Sequence, residues 1–233
     1  MAAAEQLQHI LLTDWHDCYI NDHKQRGYVA TLDLSFLKYD YAYTKFWGAN
    51  DKQQLIALTD GSRKPLTNIF LSLNAFNGKQ RRASNLSQIR NIGIDLDCYK
   101  LGITPDAAVK KLQALVFVGR IPNPNLLIRS GNGLQLVYGL AGGLPPTNEM
   151  KFVATYITNE LSTILQPLGA DFAANTLERV FRLPNTYNVK PDKPKKLVTA
   201  EIWNQQEYTL TQLMEYCTPL EPRRSPVERK KKK

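Results

Sequence analysis

The sequence has little cysteine, little histidine and no long apolar run. Its three cysteines, Cys18, Cys98 and Cys217, are odd in number and far apart. That argues against a disulfide framework or a zinc ribbon and fits a reducing, cytoplasmic setting. The three histidines, His9, His16 and His23, recur every seven residues. On a helix that spacing separates neighbours by about 10 Å along the axis, so a surface or core stripe is expected before a ladder of metal ligands. There is no H-x-H pair. The longest apolar stretches, such as LQALVFVG, are far too short to span a bilayer. The N-terminal MAAAEQLQHILLTDWHDCY has no basic n-region and no uninterrupted apolar h-region, so no signal peptide is expected. No repeat or low-complexity block precedes the C-terminal tail.

What is present is an ordinary globular composition, 43% hydrophobic and 22% charged, enough for one large or two small domains. The formal charge is +9, which favours a polyanionic partner, nucleic acid or an acidic surface. Part of that charge is local, in the closing RRSPVERKKKK, which reads equally as a solubilising end or a linker. Removing its arginines and lysines still leaves a positive balance.

Residues 5–25 read as helix, followed by the aromatic-rich YDYAYTKFW, which suits either core packing or stacking on bases. NIFLSLNAF (68–76) alternates as a strand does. ITPDAAVKKLQALVFVG begins with Thr104 as N-cap and Pro105 in the first turn of a helix. LLIRSGNGLQLVYGL (126–140) is a hairpin signal around SGNG. The longest helix starts at Thr147 or Asn148 and stops at Gly169. Pro184, Pro191 and Pro194 force loop, LVTAEIWN is a strand, and a last helix opens at Thr209 or Thr211. Strands and helices alternate around a hairpin, which predicts a mixed α/β or α+β domain rather than a doubly wound parallel sheet. The expected division is an N-terminal helical and aromatic extension over 1–67, a core over 68–218 and a basic tail or linker over 219–233.

Candidate chemistry starts at NIGIDLDCYK (91–100). On a strand, alternate side chains share a face, so Asp95 and Asp97 stand together, roughly 6–7 Å apart. Divalent cations between them would remove the repulsion. Hard Mg²⁺ or Mn²⁺ suits carboxylate oxygen, and two metals about 4 Å apart can clamp both oxygens of a phosphoryl transfer. A bare D-x-D also fits two solvent-facing aspartates, and some glycosyltransferases and phosphatase-type domains use it.

Two further stretches add to it. The hairpin places Arg129, Ser130, Gly133 and Gln135 around glycines that let a backbone approach a phosphate. GADFAANTLERVFRLPNTYNVKP (169–191) supplies Asp171, Arg179, Arg182, Asn185, Asn188 and Lys190. Arg179 and Arg182 lie among apolar residues, and a partly buried arginine needs an anionic partner. KQRR (79–82), with Arg81 and Arg82, is either a template contact or a solvated turn.

In this order the three stretches resemble the archaeo-eukaryotic primase superfamily. Its pattern is D-x-D/E on a strand, then S-x-H, then a lone acidic residue. Asp95 and Asp97 match the first, Ser130 the start of the second and Asp171 the third. RVFRLPNTYNVKP looks like the R-x-P-x-T-x-N signature of many plasmid and phage members. The nearest likeness is to replication initiators of Gram-positive theta-replicating plasmids, with D-F-D, K-S-x-x-G-Y-Q and D-x-T…R-I-P-R-T-D-N-V. The resemblance covers roughly residues 68–204. The family's histidine is replaced by Gln135, a departure those initiators share.

The resemblance implies an α+β primase core, an N-terminal α/β layer packed on an RRM-like sheet with the site in the cleft between. It implies metal-dependent nucleotidyl transfer making primers on single-stranded DNA for a plasmid or other mobile element. Asp95, Asp97 and Asp171 would be catalytic and would bind Mg²⁺ or Mn²⁺. Arg129, Ser130, Gly133, Gln135, Arg179, Arg182 and Asn188 would hold a nucleoside triphosphate. Arg81, Arg82 and Lys190 would meet template or origin DNA, and a replicative helicase is a candidate partner. Two other readings stay open: an initiator that binds origin DNA without polymerising, and an unrelated metal-dependent nucleotidyltransferase or nuclease. The lack of H-x-H disfavours the rolling-circle initiators, which need that motif.

Overall fold

A computed structural model describes residues 11–35, 42–60, 66–191 and 194–220. The chain runs through a 3-10 turn at Trp15–Cys18, β1 (Val29–Asp33), β2 (Tyr43–Trp47), α1 (Lys52–Thr59), β3 (Ile69–Ser72), β4 (Ala75–Phe76) and β5 (Leu86–Leu96). There follow α2 (Pro105–Phe117), β6 (Leu126–Arg129), β7 (Leu134–Leu144), α3 (Asn148–Leu165), β8 (Val180–Arg182), β9 (Tyr187–Asn188), β10 (Lys196–Leu197), β11 (Thr199–Ile202) and α4 (Leu210–Met214).

Five strands form one sheet in the order β11-β6-β7-β5-β4, four form a second in the order β2-β1-β3-β8, and β9 pairs with β10. Strand alternation sorts the apolar side chains onto two faces. Ile92, Ile94, Leu96, Leu127, Leu134 and Leu136 pack with Leu112 of α2 and with Ile157, Leu161 and Leu165 of α3. Leu126, Ile128 and Val137 face the other way, against Val29, Leu71, Leu73 and Phe181. The five-stranded sheet therefore carries helices on one face and the four-stranded sheet on the other. This is the expected α+β arrangement. Among the described residues no helix is long and apolar enough to cross a membrane.

The helix boundaries follow from their caps. Thr104 Oγ1 accepts from the Ala107 N–H at 3.2 Å with Pro105 in the first turn, and Thr147 Oγ1 accepts from Met150 at 3.2 Å, each satisfying an N–H that the helix leaves free. Thr209 caps α4 in the same way. A 3-10 turn, Gln166–Leu168, separates α3 from Gly169, whose φ of +86° ends it.

Four expectations change. The helix over 5–25 is replaced, where residues are described, by the turn Trp15–Cys18 and irregular chain. Short polar side chains divert the backbone there. Asp17 Oδ2 accepts from the N–H groups of Thr13 (2.9 Å) and Asp14 (3.1 Å), and Asn21 Oδ1 from that of His23 at 3.0 Å. His16 is buried against Asp14 and Thr59, while His9 lies outside the described residues. Second, the strand over 68–76 is two strands in different sheets, β3 and β4. Asn74 makes the crossing: its Oδ1 accepts from Arg90 (2.7 Å) and Asn91 (2.9 Å), and its Nδ2 donates to the Leu177 carbonyl at 2.9 Å.

Third, the boundary at 67/68 runs through a sheet, because β1 pairs with both β2 and β3. Of YDYAYTKFW, residues 42–47 are described. They hold β2, in which Trp47 is buried and donates from Nε1 to Thr31 Oγ1 at 2.8 Å. The remainder of that segment and residues 221–233 of the tail lie outside the described residues. Fourth, β5 ends at Leu96, so Asp97 stands just past the strand (φ −81°, ψ 49°).

The N-terminal segment is fastened by buried charge. Lys24 is fully buried, pairs with the Glu207 carboxylate and donates to the Cys18 carbonyl at 2.9 Å. Glu207 reaches that depth because residue 139 is glycine: a Cβ there would stand 2.6 Å from Glu207 Oε1. Arg90, also buried, donates to the carbonyls of Tyr19, Lys24 (2.6 Å) and Arg26 (2.9 Å).

Candidate active site

Leu96 forms an antiparallel bridge with Ala170. The Asp97 N–H donates to the Gly169 carbonyl at 2.8 Å, and the Asp171 N–H to the Asp95 carbonyl at 2.9 Å. These bonds lay residues 169–171 along the free side of β5, where the fourth strand of a βαββαβ sheet would run. Asp95, Asp97 and Asp171 are thereby brought together from residues that are distant in sequence. Asp95 is opposite Gln135 in the β5–β7 register, so both face the second sheet. Gly93, two residues earlier on that face, leaves room there: a Cβ would meet Leu73 at 2.4 Å and Phe181 at 2.8 Å.

Cationic side chains occupy the carboxylates. Arg179 Nη2 donates to Asp95 Oδ2 at 2.7 Å and lies 4.0 Å from Asp171 Oδ2. Lys100 Nζ lies 2.5 Å from Asp97 Oδ2. Burial raises the Asp95 pKa above the ordinary value; Arg179 opposes the shift and the charge of Asp97 reinforces it. Gln135 is a strut: its Nε2 donates to Asp95 Oδ1 at 3.4 Å and its Oε1 accepts from the Arg182 N–H at 3.0 Å. The Arg182 guanidinium sits 4.6 Å from the Phe70 ring centre, with Nη1 donating to Asn68 Oδ1 at 3.3 Å. Burial lowers its pKa, and Asp95 opposes that.

The hairpin turn abuts the end of β5. A Cβ at Gly133 would lie 2.4 Å from the Leu96 carbonyl oxygen. Gly133→Ala is therefore expected to cost about 1–3 kcal/mol, because backbone rather than a mobile side chain must yield. An unchanged melting temperature would show that the turn has slack. Ser130 is buried, and its carbonyl accepts from Asn188 Nδ2 at 2.6 Å, while Asn188 Oδ1 is buried with no partner among the described residues.

Some expected site residues lie apart. Arg129 is paired across the strands with Leu134, hence on the helix-bearing face, opposite to Gln135. It bonds Asp106 at 2.8 Å and Glu201 at 2.9 Å. The structure does not bring it to the carboxylates. Arg81 Nη1 donates to the Glu178 carbonyl at 2.7 Å, next to Arg179, while Arg82 is exposed. Lys190 Nζ lies 5.1 Å from the Tyr99 ring centre. Sequence reasoning passed over Lys100, three residues beyond Asp97, and Asn68, whose φ of +54° aims its amide at Arg182 and Val189.

The carboxylates offer the hard oxygen donors that Mg²⁺ or Mn²⁺ prefers. As arranged, with Arg179 and Lys100 upon them, no group of three His, Cys, Asp or Glu side chains among the described residues is set to hold a metal ion.

No family model matches the chain. A replication protein of Clostridium perfringens is 34% identical over 167 residues, 70% of this chain and 38% of that protein. The chain thus spans well under half the length of that relative. Among solved structures, the archaeo-eukaryotic primase domain of the cyanophage S-2L primase-polymerase superposes with a TM-score of 0.55 at 13% identity, over 85% of this chain and 91% of that one. The primase RepB′ superposes with a TM-score of 0.50 at 12% identity, over 83% of this chain and 59% of that one. The resemblance read in the sequence is borne out at the level of the fold.

Proposed function

From the archaeo-eukaryotic primase fold that the chain adopts, we propose that it is the nucleotidyl-transfer domain of a replication protein, making primers on single-stranded DNA for a plasmid or other mobile element. The observation that supports this reading best is the pairing of residues 169–171 with the end of β5, which brings Asp171 beside Asp95 and Asp97. Mg²⁺ or Mn²⁺ held by Asp95, Asp97 and Asp171 would neutralise the triphosphate and acidify the attacking hydroxyl. Arg179 and Arg182 present guanidinium donors of the geometry that phosphate oxygens accept. Asn188, whose Nδ2 donates to the Ser130 carbonyl at 2.6 Å, would hold the hairpin turn in place beside the nucleotide. Ser130 and Gly133 would shape the turn beside the triphosphate. Arg81, Arg82 and Lys190 would contact the template phosphates, and the net charge of +9 would add salt-dependent attraction.

Gln135 acts in this reading by holding Asp95 and β8 in register. Gln135→Ala leaves the half-buried Arg182 N–H without its acceptor and is expected to cost about 1–3 kcal/mol of stability, read by denaturant melting. Equal stability would make Gln135 a spectator.

The test is synthesis from labelled ATP and dATP on single-stranded DNA with Mg²⁺ or Mn²⁺. Metal-dependent, templated product supports transfer. DNA binding without any product would favour an origin-binding initiator, a reading that the occupied carboxylates also suit.

A further inference from the structure

The three carboxylates are matched by two cations of the chain itself. Arg179 uses one nitrogen, Nη2, toward both Asp95 (2.7 Å) and Asp171 (4.0 Å), and Lys100 covers Asp97 at 2.5 Å. The backbone behind Arg179 is fixed from four sides. Its N–H donates to the Thr176 carbonyl at 3.2 Å and its carbonyl accepts from Leu73 at 3.0 Å. Its neighbours Leu177 and Glu178 are held by Asn74 (2.9 Å) and Arg81 (2.7 Å). The guanidinium is not locked in the same way: its side chain is 29% exposed. Its contacts are with Asp95 and Asp171, and solvent lies beside it.

We propose that Arg179 is a displaceable counter-ion, closing Asp95 and Asp171 to cations in the nucleotide-free protein and turning to the triphosphate when a nucleotide and its metal arrive. The role rests on the reading of this site as a nucleotidyl-transfer centre. A guanidinium on Asp95 Oδ2 takes up one of its lone pairs and sets a positive charge beside the position that a divalent cation would occupy, so Arg179 and the cation compete. A triphosphate supplies the anionic oxygens that a displaced guanidinium requires. Metal and nucleotide binding are then coupled through one side chain, and the coupling is reciprocal. Lys100, shorter and more exposed, would act likewise on Asp97 but with less effect, because an exposed pair is weak.

A purely structural arginine would shift affinity for metal and for nucleotide in the same direction when removed; a counter-ion shifts them oppositely. The experiment titrates Mn²⁺ into nucleotide-free protein, reading free Mn²⁺ by electron paramagnetic resonance. Binding of ATP in saturating Mn²⁺ is measured by calorimetry. Wild type is compared with Arg179→Met and with Arg179→Lys, which keeps charge but loses the planar fork; Asp95→Asn is the control for metal bound at the site. Arg179→Met is expected to bind Mn²⁺ about tenfold more tightly and ATP about tenfold more weakly, as for loss of one hydrogen bond to a charged group, with Arg179→Lys between. Mn²⁺ affinity that is equal or lower in both folded variants overturns the counter-ion role and leaves the metal site standing. No Mn²⁺ bound by wild type or either variant overturns the metal site and the counter-ion role together.

Discussion

Asp95→Asn is expected to abolish templated synthesis, by about a thousandfold or more, since it removes charge where the reacting groups gather. The same change is expected to raise the melting temperature at neutral pH. Burial is the largest influence on Asp95 and lifts its folded pKa above the unfolded value near 3.8. A folded pKa that is raised means the folded state binds the proton more tightly than the unfolded chain does. The stability gained this way is full below the unfolded pKa and is lost as pH rises through the folded one. Above that folded pKa the wild-type protein carries an ionised, desolvated carboxylate that the asparagine variant lacks. The melting advantage of Asp95→Asn should shrink as pH falls toward 4. A variant that melts several degrees lower at pH 7 would make Asp95 and Arg179 a structural pair.

The largest loss of stability is expected from Lys24→Met. It strands the Glu207 carboxylate beneath Gly139 with its counter-charge gone. Breaking a buried pair from one side costs about 3–5 kcal/mol, or roughly 6–20 °C for a domain of this size. Removing both charges, as Lys24→Met with Glu207→Met, should recover most of it, because an apolar pair of similar volume needs no counter-charge. Melting curves of the two single variants and the double variant decide this; a double variant no better than the worse single one rules it out.

Local signals made α2, α3 and α4 legible, but not α1, whose cap residue Asp51 makes no side-chain cap bond. Thr104 with Pro105, Thr147 and Thr209 each announce a helix start through bonds that close within three residues. The hairpin was legible from SGNG. The first segment was not, because its conformation depends on partners far along the chain: Lys24 meets Glu207 across 183 positions. At the site, Asp95, Asp97, Asp171, Arg179 and Arg182 were legible by likeness to a motif, and the structure gathers them. Arg129 stands away from the carboxylates through parity. The turn pairs it with Leu134 and pairs Ile128 with Gln135, so adjacent residues point to opposite faces, and counting outward from the turn would have shown it. Lys100 and Asn68 carried no motif and became visible only once the chain was folded around them.

Arg90 has a consequence for how the protein can be divided. It lies within β5, yet its guanidinium is spent on carbonyls of residues 19, 24 and 26, and burial pulls its pKa down to about 9. A fragment begun at β3 would keep the three carboxylates and the whole five-stranded sheet. It would also keep a desolvated cation stripped of three carbonyl acceptors, with Gln88 Oε1, 2.9 Å from its Nε, remaining. Gene fusions or recombination events that carry this site into another protein must therefore carry the strandless stretch before β1 with it.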